Sequence, residues 1–327
     1  MTSNNRRSFL LASLAAAAAP AIHAQDYPRQ RIRIIVGFPP GGGLDASARI
    51  IATYLSNVLG QSVIVENRPG ASGALAAGFV KNASPDGYEL LLAETAPMEI
   101  SPFVTKKLGY DPIADFTHVG MYASSQGACL VANAAKRPTI ATLPDLIREA
   151  KANPGKLSYG SSGAGSLQHL TFAYFCHGLG LDVLHVPFRG GGASVPAVLS
   201  GDVNLAVSSF LAIQPHVESK KLVLLATAGA RRGRATPDTP TFGEFYKEYE
   251  PCASEFGLMG PANMRPDVLN TLSKALQTVM QNSEVVAKIA GLQYETTWLA
   301  PAAYRSHMQA NLRKYEAIVR AANVQPE

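Results

Sequence analysis

This chain of 327 residues holds little that suggests reaction chemistry. Its three cysteines, Cys129, Cys176 and Cys252, are odd in number and far apart. No Cys-x-x-Cys or Cys/His spacing surrounds them, so zinc binding and thiol redox work lack a ligand set. An exported chain could form one disulfide among them, but sequence selects no pair, and buried thiols are the default. Charged residues make up 16% of the chain. The triple glycine at 41–43 is not followed by Lys-Ser/Thr as in a P-loop, and G-x-G-x-x-G is missing. The nucleophile elbow G-x-S-x-G is also missing, since Gly160-Ser161-Ser162-Gly163 has the wrong spacing. No paired carboxylates, internal repeat or low-complexity segment stands out. These gaps predict no metal, no cofactor and no enzyme, and they favour binding.

The first 24 residues predict the compartment. Arg6-Arg7 precede the apolar run 9–19, then Pro20 and Ala-Ile-His-Ala at 21–24, in the order of a secretory signal peptide cleaved near Ala24. The run is shorter than the ~20 residues that span a bilayer. Asn5-Arg6-Arg7-Ser8-Phe9-Leu10 fits a twin-arginine leader as well as a general export signal. No later segment is long and apolar enough to cross a membrane, so a periplasmic protein is expected. Setting aside the two leader arginines lowers the net charge from +5 to +3, too mild and scattered for a nucleic-acid partner. Arg231-Arg232-Gly233-Arg234, the densest basic cluster, reads as a solvated loop.

The chain is organised around residues 34–49. An apolar run ends in Pro39-Pro40, Gly41-Gly42-Gly43 follow, and Ala48, Ile51, Ala52 and Leu55 then recur at helical spacing from Asp45. Strand, glycine loop and helix start together present backbone N–H groups and a favourable dipole to an anion. An unliganded tight turn is the competing reading of this stretch alone. The βαβ rhythm continues with strand 32–38, helix 45–59, strand 62–66, helix 73–82 and strand 88–93, as in an α/β lobe with a largely parallel sheet. Ser124-Ser125-Gln126-Gly127 reads as a hinge. Thr142 is placed as the N-cap of helix 142–152, with Asp145 in its first turn. Strand 157–159 then leads into a second small-residue loop, 160–166, and another helix start. Strands 182–187, 203–207, 222–228 and 255–260 and helices 193–199, 266–280 and 302–322 complete the reading. Two anion loops facing each other across a hinge would form a clamp.

In this order the residues resemble the extracytoplasmic solute receptors of the tripartite tricarboxylate transporter family, often called Bug receptors. The resemblance covers essentially the whole mature chain. It rests on Phe-Pro-Pro-Gly-Gly at 38–42 with Asp45 and Arg49, Val-Glu-Asn-Arg-Pro-Gly-Ala at 65–71 and Pro-Asp-Gly-Tyr at 85–88. Further support comes from Tyr110-Asp111-Pro112, Asn-Pro-Gly-Lys at 153–156, Gly163 and Gly165 with His169-Leu170, His-Val-Pro-Phe at 185–188 and Pro-Asp-Thr-Pro-Thr at 237–241. It implies a two-lobed α/β periplasmic binding protein of Venus-flytrap, type II-like architecture, each lobe a mixed, mostly parallel sheet flanked by helices. Residues 25–124 and 253–327 would form lobe 1, and 125–252 lobe 2. The implied partners are a small carboxylate and the membrane permease subunits of such a transporter, with the receptor a monomer.

By position, the resemblance implies carboxylate contacts from Gly41, Gly42, Gly43 and Leu44 in lobe 1 and from Gly163, Ala164, Gly165, Ser166 and Leu167 in lobe 2. Phe38, which opens the first motif, joins them. Thr95 and Ser208 are expected to face the cleft from strand ends. Departures from the family pattern inform the ligand: Gly43 and Leu44 replace Ser-Thr, Leu167 and Gln168 replace hydroxyls, Asn204 replaces an aspartate, and Glu94 adds a carboxylate. They point away from citrate or a plain dicarboxylate. A more apolar solute is expected, aromatic or bearing a cationic nitrogen for Glu94. Several residues have two readings: Asp45 reads a ligand amine or caps its helix and pairs with Arg49. His169 and Arg189 touch ligand or serve structure and surface. The alternatives to a receptor for transport are a secreted α/β hydrolase-like enzyme and a ligand sensor of a signalling system.

Overall fold

The computed structural model describes residues 27–125, 127–188 and 191–326, so the leader, Gln126 and Arg189 lie outside the described residues. β1 (Ile32–Val36) pairs in parallel with β2 (Val63–Asn67) and with β3 (Glu89–Glu94). The strand expected over 32–38 ends two residues early, because Gly37 and Phe38 already turn toward the glycines. Between β1 and β2 runs α1 (Gly43–Leu59), which begins two residues ahead of Asp45. Its Ala48, Ile51, Ala52 and Leu55 are buried, as the helical spacing predicts. Gly60 ends it in the left-handed conformation and returns its amide to Ser56 O. α2 (Ala74–Lys81) follows β2; beyond β3 a wide turn over Ala96–Ile100 leads into α3 (Ser101–Val104).

β4 (Phe116–Ser125) carries the chain to the second lobe, and β10 (Glu255–Pro261) brings it back, antiparallel to both β3 and β4. β11 (Tyr294–Leu299) then adds to the outer edge of β4, giving a six-stranded sheet in the order β11-β4-β10-β3-β1-β2. α8 (Pro266–Gln281) and α9 (Ser283–Gly291) cover α1 and one face of this sheet. Each sheet is mixed because its consecutive βαβ units pair in parallel, whereas the strands entering and leaving the lobe run the other way.

The second lobe repeats that plan. β5 (Cys129–Asn133), α4 (Leu143–Ala152), β6 (Leu157–Ser161), α5 (Leu167–Leu179), β7 (Val183–Pro187), α6 (Gly191–Ser200), β8 (Leu205–Ser208), α7 (Phe210–Glu218) and β9 (Leu222–Thr227) follow in turn. The sheet order is β7-β6-β8-β5-β9, parallel among β6, β7 and β8 and antiparallel at β5. Thr142 caps α4 reciprocally with Asp145, as the sequence predicts. The two crossings lie side by side: Ser125 N donates to Ser254 O (2.8 Å), and Ala228 N to Ala128 O (2.9 Å).

The last helix, α10 (Pro301–Ala321), belongs to both cores. Its early Tyr304 and Met308 pack with Met121 and Met259 of the first lobe. Its late Tyr315, Ile318 and Val319 pack in the cluster that holds Leu170, Phe172 and Phe175 of the second. Cys129, Cys176 and Cys252 are three separate buried thiols, with no disulfide among them.

Candidate functional site

Between the lobes lies a cleft of about 1430 Å³. The loop after β1 forms one wall. Gly42 stands at the N-cap of α1 in extended conformation, and no side chain caps the helix. The amides of Gly42, Gly43 and Leu44 make no hydrogen bond within the described residues, and all three residues line the cleft. Uncapped donors at a helix start form an anion site. The Gly41 amide is already used: it donates to Asp45 Oδ2 (3.0 Å).

Asp45 does not line the cleft. Its carboxylate accepts from Arg49 Nε (3.0 Å) and Nη2 (2.9 Å) and from Asn67 Nδ2 (2.9 Å), while Asn67 Nδ2 also reaches Phe38 O (3.0 Å). Burial opposes its ionisation, but the hydrogen bonds from Arg49, the Gly41 amide and Asn67 outweigh that and hold the carboxyl below the usual range. Asp45 therefore braces the loop from behind: it pairs with Arg49 and holds the Gly41 amide without capping the helix, and the ligand-amine reading is corrected to that pairing.

The loop after β6 forms the opposite wall, and β6 runs into it as far as Ser161. Ser166 caps α5, accepting from His169 N (3.2 Å) and donating to Gly163 O (2.7 Å). Gly163 N donates to Ser161 Oγ (3.2 Å), which also meets His185 Nε2 (2.7 Å). Gly165 N donates to His169 Nδ1 (3.2 Å), and the two imidazoles stack 3.8 Å apart, 5° from parallel. Gly163 and Gly165 thus give their amides to the scaffold, and Gly165 lies outside the cleft lining. Its φ of 69° suits glycine, and an added Cβ would stand 2.7 Å from Val104 of the first lobe. The amides left open toward the cleft are those of Ala164, Leu167 and Gln168. Burial lowers the His169 pKa to about 4. Burial first, and then His169, lowers that of His185 to about 3, so both rings are neutral at pH 7. Ser161 is fully buried and outside the cleft lining, which makes its contact with His185 a structural one.

Phe38, Leu44, Ser166 and Leu167 line the cleft as expected. Glu94 does too, but it is buried: Oε1 accepts from Ser254 Oγ, and Oε2 from Ala96 N (2.8 Å). Burial raises its pKa against the pull of those bonds. Thr95 departs from expectation. Its hydroxyl donates to Ala253 O (3.2 Å) and accepts from Glu255 N (2.9 Å), so it ties β3 to the returning crossing rather than facing solute. Ser208 is fully buried, its hydroxyl has no partner among the described residues, and it is not a lining residue.

The structure adds lining residues that sequence reading missed, chiefly Leu211, Thr227, Ser254, Phe256 and Tyr294. A Cβ on Gly43 would collide with Tyr294 Oη and come 3.3 Å from Leu211 Cδ2 of the second lobe. The lobes therefore already approach each other there. The aromatic and β-branched run Tyr-Glu-Thr-Thr-Trp-Leu at 294–299 is the signal that could have revealed β11 and Tyr294.

Residues 47–324 match the family model described as the tripartite tricarboxylate transporter family receptor. The UPF0065 protein in the gbd 5′ region of Cupriavidus necator is 34% identical over 311 residues, covering 94% of this chain and 92% of that one. Two solved structures share the fold over their full length and 92% of this chain: R. palustris Rpa4515 with adipate (28% identity, TM-score 0.85) and the periplasmic binding protein BugD (26%, TM-score 0.82).

Proposed function

The chain belongs to the receptor family of the tripartite tricarboxylate transporters, whose members are periplasmic binding proteins, and on that premise we propose that it captures a small carboxylate and passes it to the membrane permease subunits of such a transporter. One observation carries the reading: two glycine loops, one on each lobe, turn unpaired backbone amides into a single cleft. A carboxylate bridging Gly42, Gly43 and Leu44 with Ala164, Leu167 and Gln168 binds the closed form better than the open one. It thereby shifts the population toward closure. In this proposal residues 1–24 direct export and are removed near Ala24. The receptor then works as a monomer, without a cofactor and without catalysing a reaction. Lobe 1 comprises 25–124 and 253–327, and lobe 2 comprises 125–252.

The body of the solute is apolar. Phe38, Leu44, Leu167, Phe256 and Tyr294 surround the amides, and a citrate-sized hydrophilic anion would leave these faces without a partner. An aromatic or alkyl carboxylate suits them. The cationic arm expected of the solute loses its support, because both oxygens of Glu94 are held internally and burial favours its neutral form. The reading is tested by thermal shift and calorimetry of the mature protein against monocarboxylates, dicarboxylates, aromatic acids and amino acids. A cognate acid at ~100 times its Kd should add ~2.7 kcal/mol of stability. If amines or neutral sugars added to the panel shift the transition and no carboxylate does, the reading fails.

A further inference from the structure

The basic cluster at 231–234, which reads as a solvated loop in sequence, is divided by the structure. Arg231 Nη2 donates to both oxygens of Glu295 on β11 (3.1 and 2.9 Å), which ties the second-lobe loop to the first lobe. Arg232 forks onto Glu244 (2.9 and 2.6 Å) and reaches the carbonyls of Pro237 and Asp238 (both 3.4 Å), which fixes the other side of the loop. Between these anchors Gly233–Thr236 form a tight turn, closed by Thr236 N to Gly233 O (3.1 Å). Arg234 stands on that turn. It is exposed, lines the cleft, and has no acidic partner among the described residues.

We propose, building on the carboxylate reading above, that Arg234 is a specificity-determining residue that takes a second anionic group of the solute. The cleft then selects a dianion whose charges are separated by an apolar body. The acidic side chains lining the cleft are already occupied: Glu295 holds Arg231, and Glu94 holds Ser254 and the Ala96 amide. The anchored turn holds the backbone of Arg234 at the cleft wall, and its planar guanidinium can meet a carboxylate through two hydrogen bonds. Phe256 and Tyr294, with Val286 and Leu292, supply apolar lining for the body of the ligand. A volume of about 1430 Å³ leaves room for such a molecule and exceeds what a single small acid needs.

The test uses matched acids that differ by one carboxylate, terephthalate against benzoate and adipate against hexanoate, titrated calorimetrically into the mature protein. The wild type should prefer the dianion of at least one pair by about tenfold. Arg234→Gln should abolish that preference while leaving the Kd for the monocarboxylate unchanged, and Arg234→Lys should restore part of it. Retention of the full preference in Arg234→Gln overturns the proposal. So does equal binding of both members of each pair by the wild type. In either case the monocarboxylates still bind and the receptor reading survives. If none of the four acids binds while another carboxylate shifts the unfolding transition, the proposal falls and the receptor reading stands; if no carboxylate binds at all, both fall.

Discussion

The loop after β1 is braced by charge, whereas the loop after β6 is braced by neutral groups. In the first, a buried carboxylate gathers Arg49, Asn67 and the Gly41 amide, and the start of α1 is left without a cap. In the second, Ser161, Ser166 and two stacked imidazoles fix the loop, and a serine caps α5. Both leave neighbouring amides open to the cleft. An anion-binding loop thus needs a brace whose hydrogen bonds point away from the ligand, and the sign of the brace is free. A negative brace behind the first loop is tolerable because Arg49 neutralises it; the neutral brace leaves the second loop's donors without a competing anion.

This contrast can be broken in steps. The largest effect is expected from Gly43→Val, which drives a side chain into Tyr294 and Leu211 and prevents the lobes from meeting. Overpacking of about 1–3 kcal/mol corresponds to a roughly five- to 150-fold weakening of ligand binding, read by calorimetry, with the unfolding transition little changed. Unaltered affinity would mean that the closed cleft does not use this contact. Next comes Asp45→Ala, which strands Asn67, the Gly41 amide and a buried cavity. About 1–3 kcal/mol of stability should be lost in denaturant unfolding, with a parallel loss of affinity. Ser161→Ala removes one neutral strut and should cost about 1 kcal/mol, less than Asp45→Ala. The reverse order would show the neutral brace to be the stronger.

A last comparison separates the braces by pH. The pKa values of His169 and His185 are lowered from 6.5 to about 4 and about 3, so between those limits the unfolded chain binds protons that the folded one refuses. Their contribution to stability is complete above about pH 6.5 and declines as the solution is acidified toward pH 4. The Asp45 carboxyl is lowered from 3.8, so its contribution persists through that range and is lost only further into acid. Glu255 raises the pKa of His307, which acts in the opposite sense, so the comparison must be between wild type and a double His169→Gln, His185→Gln variant. Melting curves of the two should converge between pH 6.5 and 4. Parallel curves would remove the imidazoles from the brace.

Much of the architecture was legible because it follows from periodicity. The helix after the first glycines showed in Ala48, Ile51, Ala52 and Leu55, and the capping box of Thr142 and Asp145 was readable three residues apart. The elements that escaped notice are those whose residues answer to tertiary contacts. Among the described residues β11 pairs only with β4, whose Ser125 stands 169 positions before its partner Tyr294. α7 carries a proline at 215 that obscures its pattern. At the site, sequence located both loops but could not tell an open amide from one already bonded. Gly163 and Gly165 fall on the wrong side of that line because their acceptors, Ser161 and His169, become neighbours only through the turn. Thr95 was placed by its position at a strand end, and the crossing chain claimed it.

The helix α10 has a consequence for how the molecule moves. Its first half is set in one lobe and its second half in the other, so it acts as a tie-bar laid across the joint. A lobe that swings must either carry this bar along or slide against it, and the bar limits the arc before the cleft gapes. It also makes folding of the two halves interdependent, because the second lobe completes its interior with Tyr315, Ile318 and Val319, which come after the chain has returned to the first lobe. A nascent chain that has reached β9 therefore holds a lobe with an unfilled side, and truncation before Tyr315 would cripple a lobe whose strands, β5 to β9, lie far upstream of the cut.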